Sequence, residues 1–150
     1  MTTSQLVPSA VEPVEPRAES AEPREKVRGG WLGRLLSGRR TAYRKVRPHQ
    51  VRRLIEEGAV VVDVREPAQW RAGHIRGSVN IPLADVLDRS EDLPDGPIVT
   101  VCRSGPRSAR AAELLAADGH QTFNLRGGLR EWDYAGYPVM DAEGEPGFVA

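Results

Sequence analysis

The chain holds a single cysteine, Cys102. One cysteine excludes an internal disulfide framework and any all-cysteine zinc site. It leaves a free thiol, which fits a reducing compartment and predicts a cytoplasmic setting. No apolar run approaches the roughly 18 residues of a membrane span, which excludes an integral membrane protein. Met1 is not followed by the apolar stretch of a secretory signal, so none is expected. The three histidines, His49, His74 and His120, show no metal-ligand spacing, and no metal is expected.

The chain also has no net charge, but the balance hides an asymmetry. Residues 1 to 25 carry five glutamates against Arg17 and Arg24. Residues 26 to 47 carry eight basic residues and no acid. Residues 48 to 150 carry eleven arginines against sixteen acidic residues. The first segment is rich in Pro, Glu, Ala and Ser and offers little apolar surface to offset the cost of ordering a backbone. It reads as a disordered, extended arm.

The basic stretch from residue 26 has two readings. Trp31, Leu32, Leu35 and Leu36 sit at helical spacing, and a basic amphipathic segment can dock on an anionic membrane surface or a partner groove. Alternatively, residues 26 to 41 are a linker that packs Trp31 and two leucines onto the following domain. Gly29, Gly30, Gly33 and Gly38 lower helix propensity and favour the linker. Nucleic acid is not expected as a partner, because the rest of the chain is acidic.

At 150 residues, with 39% apolar and 28% charged, the chain has the size and composition of one soluble domain. That domain reads as residues 42 to 140, followed by a loose tail at 141 to 150. Pro48 opens a helix, with Val51, Leu54 and Ile55 at helical spacing and Gly58 as its stop. AVVVDV, residues 59 to 64, is a β-branched run without alternation, as in a buried parallel strand. A loop with Pro67, Trp70 and Gly73 follows. Residues 79 to 81 form a short strand, and Pro82 opens a helical turn.

IVTV, residues 98 to 101, is a second buried strand. Arg107 to Asp118 read as a helix with Ala111, Leu114 and Leu115 inward and Gly119 as the stop. Thr122 to Leu125 form a further strand. Gly127 and Gly128 turn into a last helix holding Leu129 and Trp132. Strands separated by helices predict an α/β fold with a parallel sheet and right-handed crossovers.

The informative segment is IVTVCRSGPRSARAAELL. It places Cys102 at the carboxyl end of a buried strand, the edge where open α/β sheets hold ligands. Ser104 and Gly105 permit a tight loop, and the next helix begins at about Pro106 or Arg107. Backbone N–H groups of such a loop converge into an anion nest beside the positive end of a helix. Arg103 and Arg107 add positive charge on both sides. This setting favours thiolate over thiol and predicts a nucleophile acting on an anionic electrophile. A lone cysteine is more often an inert core residue, but a core cysteine has no need of two arginines and a glycine around it.

The pattern resembles the single-domain rhodanese family of sulfurtransferases over about Tyr43 to Met140. Four segments carry the resemblance in the family's order. They are VVVDVREPAQW (60 to 70), GHIRGSVNIP (73 to 82), CRSGPRS (102 to 108) and LRGGLREWDYAGYPV (125 to 139). Ser78 stands where Ala is more usual.

The resemblance implies a three-layer α/β sandwich around a parallel five-stranded sheet. It implies that Cys102 accepts a sulfane sulfur from a small anionic donor such as thiosulfate. The resulting persulfide passes its outer sulfur to cyanide, a small thiol or a protein acceptor. Arg103, Ser104, Gly105, Pro106, Arg107 and Ser108 cradle substrate in this reading, and no dissociable cofactor is expected.

Arg103 and Arg107 are candidates for orienting a donor oxyanion, since a planar guanidinium matches its oxygens. Asp63, ending a buried strand, reads as support for neighbouring loops. Arg65 and Glu66 read as the rim of the site. His74 reads as a loop histidine satisfied by backbone, Arg110 as a helix-surface residue, and Trp70 and Trp132 as packing residues.

Two rival functions remain. One is a binding module without turnover, a sulfur carrier or a redox sensor, since an exposed low-pKa thiol oxidises readily. The other is a cysteine phosphatase of the cell-division-cycle type, on a similar fold. Those enzymes place five residues between Cys and Arg. Here only four separate Cys102 from Arg107, and the next position is Ser108.

Overall fold

The computed structural model describes residues 42 to 150. The expected arm at 1 to 25 and basic segment at 26 to 41 lie outside the described residues. Five strands form one sheet: β1 (Arg44–Val46), β2 (Val60–Asp63), β3 (Val79–Asn80), β4 (Ile98–Val101) and β5 (Thr122–Leu125). Their order is β1-β5-β4-β2-β3, and every pairing is parallel. Among the described residues three α-helices lie between strands, α1 (Pro48–Glu56), α2 (Pro67–Ala72) and α3 (Pro106–Ala117), and a fourth, α4 (Gly128–Tyr134), follows β5. No helix among the described residues is long and apolar enough to cross a membrane.

The strands alternate between two cores, as the pleat requires. Val61, Val99, Val101, Phe123 and Leu125 face Val51 of α1 and Leu129 and Trp132 of α4. Val62 and Ile98 face Ala111 and Leu115 of α3, with Ile81, Val86 and Leu93 closing that side. The result is the three-layer α/β sandwich that the resemblance implied. Both faces of β2 and β4 are covered, which is why their sequences show no polar alternation.

The topology sets the site. From β2 the chain moves outward to β3, and from β4 it moves the opposite way to β5. Strand order therefore reverses between β2 and β4, and the crevice beyond their carboxyl ends is the place such a sheet offers a ligand. Asp63 ends β2 and Cys102 follows β4 at that edge.

Three elements differ from the sequence reading. β1 has no apolar run: Arg44 and Lys45 are exposed and only Val46 is buried. It exists because the edge of β5 offers a parallel partner, with Val46 opposite Leu125. The loop at 67 to 73 contains α2, one short helix opened by Pro67, with the Glu66 N–H donating to Gln69 Oε1 at 3.3 Å.

The closing residues are also tied down. The Phe148 N–H donates to the Ala72 carbonyl at 3.0 Å, and the Gly147 N–H to the Val139 carbonyl at 2.8 Å. Asp141 Oδ1 accepts the N–H groups of Glu143 and Glu145, and Val149 packs on the core. Backbone hydrogen bonding holds this segment, so its polar composition misleads.

Candidate active site

β4 delivers Cys102 onto the α3 side of the sheet, where the residue is buried among Val62, Ile98 and Ala111. The chain then turns through Arg103, Ser104 and Gly105 into α3. Gly105 has φ +115°, a left-handed conformation that favours glycine. That turn aims the Gly105 N–H at Cys102 Sγ, 3.0 Å away. One helical turn on, the Ser108 hydroxyl lies 3.3 Å from the same sulfur. Burial alone pushes the thiol's pKa up. Hydrogen bonds from the Ser108 side chain and from the backbone at Ser108, Gly105 and Ser104 outweigh it, so the pKa lies below its ordinary value. The loop donors therefore favour the thiolate more than purely apolar surroundings would.

The loop is braced from both neighbouring strands. The buried Thr100 hydroxyl sits 2.9 Å from the Ser108 carbonyl and 3.1 Å from that of Phe123. The buried Asn124 amide reaches the Gly105 carbonyl at 3.4 Å. Sequence reasoning singled out neither residue. Their signal was a polar residue inside an otherwise buried strand, Thr100 in IVTV and Asn124 in TFNL.

The glycine turn before α4 supplies a second brace. The Leu129 N–H donates to the Cys102 carbonyl at 2.8 Å, and the Arg130 N–H to the Arg103 carbonyl at 3.1 Å. Gly128 makes this approach possible: a Cβ there would stand 2.5 Å from the Cys102 carbonyl oxygen. The sequence showed a turn; the structure shows that the turn carries the cysteine loop.

Arg103 is exposed and Arg107 half-buried, on either side of the loop. Neither forms a salt bridge among the described residues. Pro106 is exposed at the start of α3, and Ser104 is exposed at the mouth. The position five residues beyond the loop's first arginine is Ser108, turned inward and neutral.

Arg65 does not line the rim. It is 0% exposed, as is Asp63. Arg65 Nε donates to Asp63 Oδ1 at 3.0 Å and Nη2 to Oδ2 at 2.7 Å. Nη2 also donates to the Gly73 carbonyl at 2.6 Å. A buried guanidinium needs this neutralising fork, and Asp63 stands two residues earlier to supply it. The pair ties the end of β2 to the end of α2. Glu66 is exposed and opens α2.

His74 Nδ1 lies 2.7 Å from the Trp70 carbonyl, and its ring stacks on Trp70 at 3.8 Å. The Trp70 indole N–H donates to Ser78 Oγ at 3.0 Å. Ser78, the departure from the usual Ala, thus satisfies a half-buried indole.

A family model described as "Rhodanese-like domain" matches residues 47–135, more than half of the chain. The chain is 37% identical over 107 residues to the thiosulfate sulfurtransferase GlpE of Pseudomonas fluorescens, covering 69% of this chain and 96% of that one. It is 39% identical over 106 residues to GlpE of Pseudomonas aeruginosa, covering 69% and 94%. A rhodanese-related protein from Thermoplasma volcanium superposes with a TM-score of 0.62 at 33% identity, covering 65% of this chain and 98% of that one.

Proposed function

The chain belongs to the rhodanese-like domain family and is an enzyme of the rhodanese type, and from that premise we propose that Cys102 carries the sulfur. The relatives bearing the name thiosulfate sulfurtransferase support sulfur transfer as the activity, with thiosulfate as a donor. The observation that carries the role of Cys102 is its sulfur, buried at the carboxyl edge with the Gly105 N–H and Ser108 hydroxyl directed at it.

In the first step the Cys102 thiolate attacks the outer sulfur of thiosulfate. A bond forms between Sγ and that sulfur, the S–S bond of thiosulfate breaks, and its electron pair leaves with sulfite. Arg103 and Arg107 hold the donor's sulfonate-like oxygens, while the loop N–H groups stabilise the terminal persulfide anion. In the second step an acceptor attacks the outer sulfur, and the Cys102 thiolate is the leaving group. No second cysteine exists in the chain to discharge the persulfide, so the acceptor is external. Ser108, in the position a longer phosphatase loop gives to arginine, offers no charge to a phosphoryl group; this disfavours phosphatase chemistry. A reduced thiol is needed in the resting state, which favours a cytoplasmic site of action. The catalytic unit is the domain at 42 to 140 together with the packed closing residues.

Intact-protein mass spectrometry after thiosulfate treatment, with a cyanide chase, tests this reading. The expected result is a gain of one sulfur atom that cyanide removes as thiocyanate, absent in Cys102→Ser. No gain with thiosulfate or with any other persulfide donor would overturn it.

A further inference from the structure

Between the cysteine loop and α4 the surface opens into two adjoining hollows of about 600 Å³ and 400 Å³. The smaller is lined by Ser104 of the loop and by Arg130 and Tyr134 of α4. The larger continues from it between Arg47 and His49 at the start of α1 and Arg126 at the end of β5. Gly127 and Glu131 line both, so the two form one groove running outward from the loop. Three guanidiniums face one carboxylate along it, and none of them forms a salt bridge among the described residues. Tyr134 stands at its lip, 89% exposed, the most exposed large side chain of the described core-type residues.

We infer that this groove is the acceptor subsite and that it takes a low-molecular-weight thiol bearing carboxylate or phosphate groups. The inference rests on the sulfur-transfer reading of Cys102. The groove's volume lies in the range of small-ligand sites, about 300–1,000 Å³. A protein acceptor would need a continuous apolar centre, whereas this groove interleaves Pro48, Ala135, Tyr134 and Tyr137 with three arginines, His49 and Glu131. The anionic end of the acceptor lies against Arg47, Arg126 and Arg130, and its thiol reaches the loop past Ser104. The acceptor thiolate attacks the outer sulfur of the Cys102 persulfide. The new S–S bond forms on the acceptor, the Sγ–S bond breaks, and the electron pair returns to Cys102 as thiolate. The acceptor leaves as its persulfide.

The test compares three thiols on the full chain: mercaptosuccinate (carboxylates), coenzyme A (phosphates) and neutral 2-mercaptoethanol. Persulfide loading is measured by mass in every variant before acceptor is added. In Arg126→Ala the KM for an anionic thiol rises about three- to fivefold, and in Arg47→Ala/Arg126→Ala about tenfold or more. The neutral thiol changes less than twofold, and the contrast shrinks in high salt. Glu131→Gln lowers the anionic KM. A response to only one anionic thiol assigns the groove to carboxylate or to phosphate. Equal changes for neutral and anionic thiols, or no change for any, overturn the inference. A second measurement needs no sulfur transfer: calorimetric binding of S-methyl mercaptosuccinate and S-methyl coenzyme A to the Cys102→Ser chain. Arginine-dependent binding without loading would count against the sulfur-transfer reading alone. Binding of neither, or binding indifferent to Arg47 and Arg126, overturns the groove itself.

Discussion

The Ser108 hydroxyl lies within reach of two acceptors, Cys102 Sγ at 3.3 Å and the Gly105 carbonyl at 3.0 Å, with one proton to give. A charged sulfur is the stronger acceptor of the two. Ser108→Ala removes that donor from the thiolate, so the pKa of Cys102 moves up. Alkylation by iodoacetamide then shows its break at higher pH, and below the break its rate falls about tenfold relative to the parent chain, the worth of one such hydrogen bond. Stability follows the same sign. A thiol whose folded pKa is depressed stabilises the fold above its unfolded pKa and loses that contribution as pH falls through the folded value. An unchanged alkylation profile in Ser108→Ala would remove Ser108 from the activation of Cys102.

The brace between Gly128 and the cysteine loop can be separated from simple backbone strain. Gly128 and Gly136 both have positive φ, +63° and +82°. A Cβ at Gly136 meets open space, whereas one at Gly128 collides with Cys102 and Arg103 backbone. Gly136→Ala is expected to cost about 1–2 kcal/mol, the strain alone. Gly128→Ala adds the collision, for a total of about 2–5 kcal/mol, and lowers kcat because the Cys102 carbonyl must shift. Urea denaturation and thiosulfate:cyanide kinetics on both variants check this. Equal stability losses would mean that the loop yields freely to α4.

The Asp63–Arg65 pair is structural in effect. Both side chains are fully buried, so removing one leaves an unneutralised charge in the interior. Asp63→Asn and Arg65→Met are each expected to cost about 3–5 kcal/mol. The double variant should recover part of that loss, because neither charge then lacks a partner. In whatever fraction remains folded, the KM for thiosulfate stays unchanged. A rise in KM without loss of stability would return Arg65 to the rim.

How far these features could be read from sequence depends on whether their cause is local. The apolar runs at 60 to 64 and 98 to 101 are local, and so is the loop signal CRSGPRS; the central strands and Cys102 were legible for that reason. β1 was not, because Arg44 and Lys45 are exposed and the strand is defined by its pairing with β5. The burial of Arg65 was hidden because arginine after a strand ordinarily points to solvent, and only the fork with Asp63 and Gly73 reverses this. The contact of Gly128 with the Cys102 carbonyl joins positions far apart in the chain, and no spacing rule reports it. The same holds for Thr100, which reaches the Phe123 carbonyl across β4 and β5, and for Asn124, which reaches the Gly105 carbonyl in the loop after β4.

Arg107 sits in the first turn of α3, just after the Cys102 loop, half-buried and without a salt bridge among the described residues. Its guanidinium matches the shape of a donor's oxygens, whereas the groups directed at the sulfur itself are the Gly105 N–H and the Ser108 hydroxyl. The two roles predict different kinetics. Arg107→Ala should raise the KM for thiosulfate by about tenfold, the worth of one charge-assisted contact, and slow alkylation by neutral iodoacetamide less than twofold. Arg107→Lys should restore less than half of the loss, because an ammonium cannot make the paired contacts of a guanidinium. Steady-state kinetics with thiosulfate, set beside alkylation rates at the same pH, make the comparison. Equal losses toward the anionic donor and the neutral reagent would show that Arg107 acts on the thiolate and does not clamp the donor.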